Sequence, residues 1–270
     1  MKHILISGPC AQDIIQGTSY FGGAAGGIAL NLAQENIPVG LLSVLGKDQF
    51  SKKYKRKLQS LHVNTEAVKE HLSILPVMTR LNKKNGEVSR QYEAHGVQEA
   101  LATLQPDTAY LHQFDFLHVV NTPKVLAEYL AEHFSGTISY NPGSLFYRDH
   151  ASLATKLLEK ATYIFCNNEE FEMLQKQISF SKLFQNQLQQ LFITNGKKGI
   201  VVKEKTKQLH FPAILVKNVV DTTGAGDAIV VGFLEKIANG YSWQVGIENG
   251  LTFASQIIQQ HGVVLERKTI

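Results

Sequence analysis

Apolar and polar positions recur along the chain with two different periods, and the changes of period predict its elements. Ile4–Ser7 is a short apolar run closed by Gly8 and Pro9, the pattern of a buried strand that stops at a turn. Residues 26–36 read as a helix behind a glycine-rich turn, and residues 39–45 as a second strand. Phe50, Tyr54, Leu58 and Leu61 then fall on one face of a helix. The basic run Lys52, Lys53, Lys55, Arg56 and Lys57 lies mostly off that face, which makes it a solvated helix surface rather than a nucleic-acid patch.

Segments 73–81 and 87–92 have the period of strands, and between them stands Asn82-Lys83-Lys84-Asn85-Gly86, with an Asn-Gly hairpin signal. This hairpin interrupts a strand-helix series and is expected to project from the main sheet. Beyond it the series resumes, with strands at 116–120, 137–140, 163–166 and 191–194 and helices between them. Repeated βα units predict an α/β fold in which a mainly parallel sheet is covered by helices on both faces. Such sheets place ligands at the carboxyl ends of their strands.

Composition narrows the partners. The 270 residues carry 27 basic and 23 acidic side chains, a net charge of +4, too mild for a nucleic-acid binder. At 44% hydrophobic and 19% charged the chain reads as an ordinary globular protein, with no apolar run long enough for a membrane span or a leader-peptide core. Cys10 and Cys166 have neither metal-ligand spacing nor a disulfide framework and are expected to be buried, reduced thiols. A cytoplasmic location is expected.

The densest chemistry lies at Asp221-Thr222-Thr223-Gly224-Ala225-Gly226-Asp227, where an extended segment, 216–220, gives way to an apolar helix. Small residues let a backbone approach a ligand closely, and a helix start offers unpaired N–H groups at the positive end of its dipole. Together they suit a phosphoryl group in transit. Asp227, in the first turn, can accept a proton from an attacking hydroxyl; on its own it could equally be a helix-capping carboxylate. Three further segments stand out. Tyr20-Phe21-Gly22-Gly23-Ala24-Ala25-Gly26-Gly27 serves either tight packing or ligand approach. Asn167-Asn168-Glu169-Glu170, at a strand end entering a helix, reads on its residues as a helix cap with acidic first-turn residues. Thr194-Asn195-Gly196-Lys197-Lys198-Gly199, between two strands, reads on its residues as a β-turn or hairpin loop.

Asp-Thr-x-Gly-Ala-Gly-Asp, followed by Gly232-Phe233-Leu234, resembles the C-terminal signature of the ribokinase-like (PfkB) carbohydrate and nucleoside kinases, and the other motifs extend that resemblance over nearly the whole chain. The resemblance implies a ribokinase-like fold, one kinase domain over 1–270 with a small β lid formed by about 9–22 and 63–95. It implies ATP and Mg2+ as cofactors, Asp227 as catalytic base, and the Gly224, Ala225 and Gly226 amides as an anion hole. Asp13, on the loop after the first strand, and Gly22, Gly23 and Gly27 match the acceptor site. Asn167, Thr194, Gly196, Gly199 and Asn249 match the nucleotide side. Glu170 matches a residue that orders magnesium-bound water, while Asp221 and Thr223 match a potassium (K+) site. Two positions depart from the pattern: Gly27 stands where the family usually has Asn, and Asn141 where several relatives have Asp.

The runs Gly8-Pro9-Cys10-Ala11-Gln12-Asp13 and Tyr140-Asn141-Pro142-Gly143 look more like the prokaryotic nucleoside kinases of the family than its phosphofructokinases. The expected activity is transfer of the γ-phosphoryl group of ATP to a primary hydroxyl of a sugar or nucleoside. The alternatives are a fructosamine or ketose kinase of the same fold, and a nucleotide-binding protein that has lost turnover. No nucleic acid or membrane partner is expected. Family lids often pair between subunits, which implies a homodimer through the lid, although a chain this short allows a reduced lid and a monomer.

Overall fold

The computed structural model describes residues 1–82, 88–143 and 154–266. Among them, a nine-stranded sheet runs in the order β13-β12-β11-β10-β9-β8-β1-β4-β5. Its parallel part comprises β1 (Ile4–Ser7), β4 (Val39–Gly46), β5 (Val68–Leu72), β8 (Phe116–Val120), β9 (Thr137–Asn141), β10 (Tyr163–Asn167) and β11 (Gln190–Thr194). Two antiparallel strands, β12 (Ile200–Lys203) and β13 (Gln208–Phe211), finish one edge. A second sheet holds β2 (Ala11–Ile15), β3 (Thr18–Gly22), β6 (Val77–Asn82) and β7 (Val88–Glu93) in the order β3-β2-β6-β7, and it forms the lid.

Burial explains why the central strands read as unbroken apolar runs. Every residue of β4 is buried. Val39, Leu41 and Leu45 point into one apolar core while Leu42 and Val44 point into another on the opposite face. The first core lies under α1 (Ala24–Gln34), α2 (Gln49–Ser60) and, among later helices, α9 (Ala225–Ala238) and α10 (Trp243–Ile257). The second lies under α3 (Val97–Ala102), α4 (Thr108–Leu111), α5 (Lys124–His133), α6 (Thr155–Lys160), α7 (Asn168–Gln177) and α8 (Phe180–Leu183). A strand buried on both faces loses the alternation of a half-exposed one. The helix expected around Tyr54 and Leu58 is α2; its amphipathic face buries those two side chains, and Asp48 caps its start by accepting from the Ser51 amide.

The hairpin expected after residue 73 is β6 paired antiparallel with β7, with Asn82 opposite Val88; the turn at 83–87 lies outside the described residues. One expectation is corrected. Asp13 is not on a loop: residues 11–22 form the hairpin β2–β3, with Asp13 opposite Tyr20. The segment 216–220 before the last two helices belongs to neither sheet, and Val219 and Val220 are 55% and 47% exposed. Both cysteines are free and buried, as expected, and burial pushes the Cys10 thiol up to about 11, so it stays protonated. No helix among the described residues is long and apolar enough to cross a membrane.

Candidate active site

The strands of the parallel sheet end together, and adjacent strands deliver polar residues there: Asn121 just after β8, Asn141 ending β9, Asn167 ending β10 and Thr194 ending β11. All four line one small cavity of about 200 Å³ that also contains Glu170, Gly224, Gly226 and Asp227. Two larger spaces open on either side of it. Toward β11, a cavity of about 580 Å³ is bounded by Asn167, Thr194, Gly196, Gly199, Ala225 and Gly226 and is walled by apolar side chains including Leu215, Val219 and Leu251. Toward the lid, a cavity of about 210 Å³ is bounded by Asp13, Gly23, Arg80, Asn121, Thr223, Asp227 and Val263. Gly226 therefore faces the first of these spaces and Asp227 the second, and both face the junction.

Asp227 is the third residue of α9, whose N-cap is Gly224 at φ 79 with no side-chain cap. The helix start is thus left open to a ligand, and a Cβ at Gly226 would meet nothing within 4 Å. Asp227 is partly buried and lines both the small cavity and the lid-side space. Desolvation raises its carboxyl to about 7, with further upward pressure from Glu170 and Asp13. A carboxylate tuned near neutrality suits proton abstraction from a hydroxyl at ordinary pH.

Glu170 is 7% exposed and makes a capping box with Asn167: the Asn167 side-chain oxygen accepts from the Glu170 amide, and Glu170 Oε2 accepts from the Asn167 amide, each at 2.8 Å. The two sequence readings of this segment are therefore compatible, since the cap is what aims Glu170 at the junction. Burial raises its carboxyl above the ordinary range. Beside it, Asn141 Oδ1 is buried without a hydrogen-bond partner. A carboxylate and an orphaned amide oxygen facing one small polar cavity fit a magnesium ion that keeps most of its waters.

Asp13 is 4% exposed, and desolvation lifts its carboxyl to about 6 against the pull of Arg80. Gly22 does not line the cavity; a Cβ there would lie 2.3 Å from Asp13 Oδ1, so its bareness makes room for the carboxylate. Gly23 does line it. Gly27 lies behind Val263 and Asn249 lies elsewhere, its side-chain amide donating to the Gly232 carbonyl and to Glu235 in the contact between α9 and α10.

Sequence reasoning missed Arg80, Asn121 and Val263. Arg80, 5% exposed on lid strand β6, donates from Nη2 to Asp13 Oδ2 at 3.2 Å and from Nη1 to Asp221 Oδ2. Asp221 Oδ1 accepts from the Thr223 amide at 2.9 Å. Each oxygen of the Asp221 carboxylate thus already accepts one hydrogen bond from this chain. The only hint of Arg80 in the sequence was a lone basic residue inside an apolar strand.

Over residues 6–269 the chain matches the family model described as pfkB family carbohydrate kinase. The chain belongs to that family. It is 25% identical over 248 residues to a nucleoside kinase of Methanocaldococcus jannaschii, covering 90% of this chain and 80% of that protein. The crystal structure of that kinase, an archaeal member of the ribokinase family, superimposes with a TM-score of 0.85 at 23% identity, covering 97% of this chain and 93% of that one. The Burkholderia thailandensis nucleoside kinase in complex with inosine gives 0.82 at 20% identity over 96% of this chain and 92% of its own. The Arabidopsis thaliana ribokinase complexed with ribose and ATP gives 0.82 at 18% identity over 97% and 94%. The fold is ribokinase-like, with the small sheet as its lid, and the kinase is a phosphotransferase with an alcohol group as acceptor.

Proposed function

We propose that this kinase transfers the γ-phosphoryl group of ATP to a primary hydroxyl of a nucleoside or small sugar held under the lid. The observation that carries the reading is the placement of Asp227 and Gly226 where the two larger cavities meet. ATP occupies the space beside Thr194, Gly196 and Gly199, its base against the apolar wall and its γ-phosphate at the open start of α9. The acceptor occupies the lid-side space, with one hydroxyl on Asp13 and the reacting hydroxyl beside Asp227.

The Asp227 carboxylate takes the proton of that hydroxyl as its oxygen bonds to the γ-phosphorus. The bond from phosphorus to the β,γ-bridging oxygen breaks, and ADP leaves with that electron pair. The Gly224, Ala225 and Gly226 amides stabilise the equatorial oxygens of the moving phosphoryl group. Magnesium, when bound near Glu170 and Asn141, supplies positive charge to the phosphates. The lid sheet closes the acceptor space against water, which would otherwise compete as acceptor.

The M. jannaschii and B. thailandensis relatives are nucleoside kinases, and this favours a nucleoside acceptor. The test is ADP release measured with ATP and a panel of ribonucleosides, ribose, fructose and fructosamine. A nucleoside preferred by about 10-fold or more in kcat/KM supports the reading. Preference for fructose or fructosamine would replace it with a ketose kinase, and ATP binding without turnover on any acceptor would sink it.

A further inference from the structure

The position where the family usually carries an acceptor-binding Asn is bare in this chain, and the structure shows what stands over it. The chain leaves α10 and turns at Gly262 (φ 82), and its tail crosses back over α1. One buried side chain on α1 holds the tail: Asn31 Nδ2 donates to the Val263 carbonyl at 2.8 Å and to the Gly27 carbonyl at 2.9 Å, and its Oδ1 accepts from the Leu265 amide at 2.9 Å. Gln260 adds a second staple, donating to the Val264 carbonyl at 2.8 Å.

This clamp delivers Val263, 8% exposed, into the lid-side cavity that Asp13 and Asp227 also line. Its methyl groups sit over two glycines. A Cβ at Gly27 would lie 2.9 Å from Val263 Cγ2, and a Cβ at Gly224 would lie 2.6 Å from Cγ1. Any side chain at position 27 would therefore collide with the tail, and the space such a side chain would take is filled by an isopropyl group. The cavity gains an apolar wall at that spot, next to the catalytic turn.

We propose that Val263, positioned by the Asn31 clamp, is a specificity-determining residue of the acceptor site, and that the acceptor presents a hydrogen-bearing carbon rather than a hydroxyl to it. The inference rests on the kinase reading above and refines its substrate class. A hydroxyl pressed against Val263 loses its water without gaining a partner, whereas a deoxy carbon makes an apolar contact; that difference corresponds to about 10-fold in kcat/KM.

Three variants of the full chain test it: Val263→Ala, Gly27→Asn and the two combined. Each is assayed with ATP against adenosine, inosine, cytidine and their 2′-deoxy and 3′-deoxy counterparts. In the wild type at least one deoxy member is favoured over its hydroxylated partner by about 10-fold, and Val263→Ala erases that preference. Gly27→Asn alone raises the acceptor KM at least about 10-fold and lowers Tm; adding Val263→Ala restores both and shifts the preference to the hydroxylated acceptor. The proposal is overturned if Val263→Ala leaves every deoxy-to-hydroxy ratio within about 2-fold of wild type, or if the two substitutions act additively on thermal unfolding. Unfolding needs no turnover, so the packing claim is decided even for an inactive variant. A wild-type chain that phosphorylates none of the panel would instead overturn the kinase reading, and the selectivity claim with it.

Discussion

Replacing Arg80 with methionine would remove a guanidinium that reaches both Asp13 and Asp221 from the lid, while keeping most of its apolar bulk. The structure sets the size of the effect. At 3.2 Å from Asp13 Oδ2, the guanidinium interacts by about 5 kcal/mol at an effective dielectric near 20. Both side chains are nearly sealed from solvent, at 3% and 6%, and breaking a buried pair of this kind costs about 3–5 kcal/mol, because the surviving charge is left unpaired. Asp13 can relieve part of that by taking up a proton. Burial already lifts its carboxyl to about 6 against the pull of Arg80, so losing Arg80 moves it higher still. At pH 7 the variant then carries more protonated Asp13 than the wild type, and a protonated carboxyl is a poorer acceptor for a substrate hydroxyl. Urea unfolding at pH 7 and pH 5, with acceptor KM measured from pH 6 to 9, checks both halves. The stability deficit is expected to shrink at pH 5, where Asp13 is protonated in wild type and variant alike. The acceptor KM is expected to rise about 10-fold or more at pH 7 and to recover partly as pH rises. Arg80→Lys should not rescue, since one ammonium cannot span two carboxylates as the fork does. Unchanged stability at pH 7 together with an unchanged KM would refute the reasoning.

Other expectations follow from the same cleft. Asp227→Asn should lower kcat by about 10³-fold or more while leaving ATP affinity, read by titration calorimetry, within a few-fold. Asp227 is raised in the folded chain, so its contribution to stability is present below about pH 4 and is lost as pH rises through about 7; Asp227→Asn should therefore raise Tm at pH 8 but not at pH 4. Because the base must be ionised, kcat/KM should climb with pH through a midpoint near 7, and a flat profile from pH 5.5 to 8.5 would count against Asp227 as base. Exchanging KCl for NaCl at constant ionic strength should change the rate less than about 2-fold, since Arg80 occupies the Asp221 carboxylate; strong potassium activation would show that the pair opens during turnover. Glu170→Gln should raise the magnesium concentration needed for half-maximal rate by about 10-fold, with acceptor KM little changed.

The main sheet was legible because its strands are buried on both faces and its helices are amphipathic, so each element announced its own period. The lid hairpin β6–β7 was legible from strand pattern and turn chemistry together. The hairpin β2–β3 was not, because its inward face carries Asp13 between Ala11 and Ile15 and so does not read as apolar alternation. The segment 216–220 was legible only as extended chain; that Val216 and Val219 line the larger cavity toward β11 is set by the fold around them. Within the site, residues on a short contiguous motif were found, such as Gly224 to Asp227 and Asn167 with Glu170. Arg80 was missed because its meaning depends on Asp13 and Asp221, the latter 141 positions away, and no local pattern encodes that meeting.

The two departures from the family pattern show how far a single sequence carries and where packing takes over. Gly27 looks like a loss when read alone, since glycine offers no side-chain hydrogen bond. Beside Val263 it is one half of a fit: the tail brings two methyl groups where position 27 has none, and Asn31 holds that tail with two hydrogen bonds while its third goes to the Gly27 carbonyl. Asn141 differs in kind. Its buried Oδ1 has no protein partner and faces the junction beside Glu170, so the replacement keeps an oxygen there while removing a charge. A buried carboxylate at that point would push Asp227 and Glu170 still higher, by the same repulsion that already lifts Asp227. The neutral amide leaves Asp227 near 7, where it is available as a base at neutral pH. Under the proposed function, one departure reshapes the wall facing the acceptor and the other leaves the base close to neutrality.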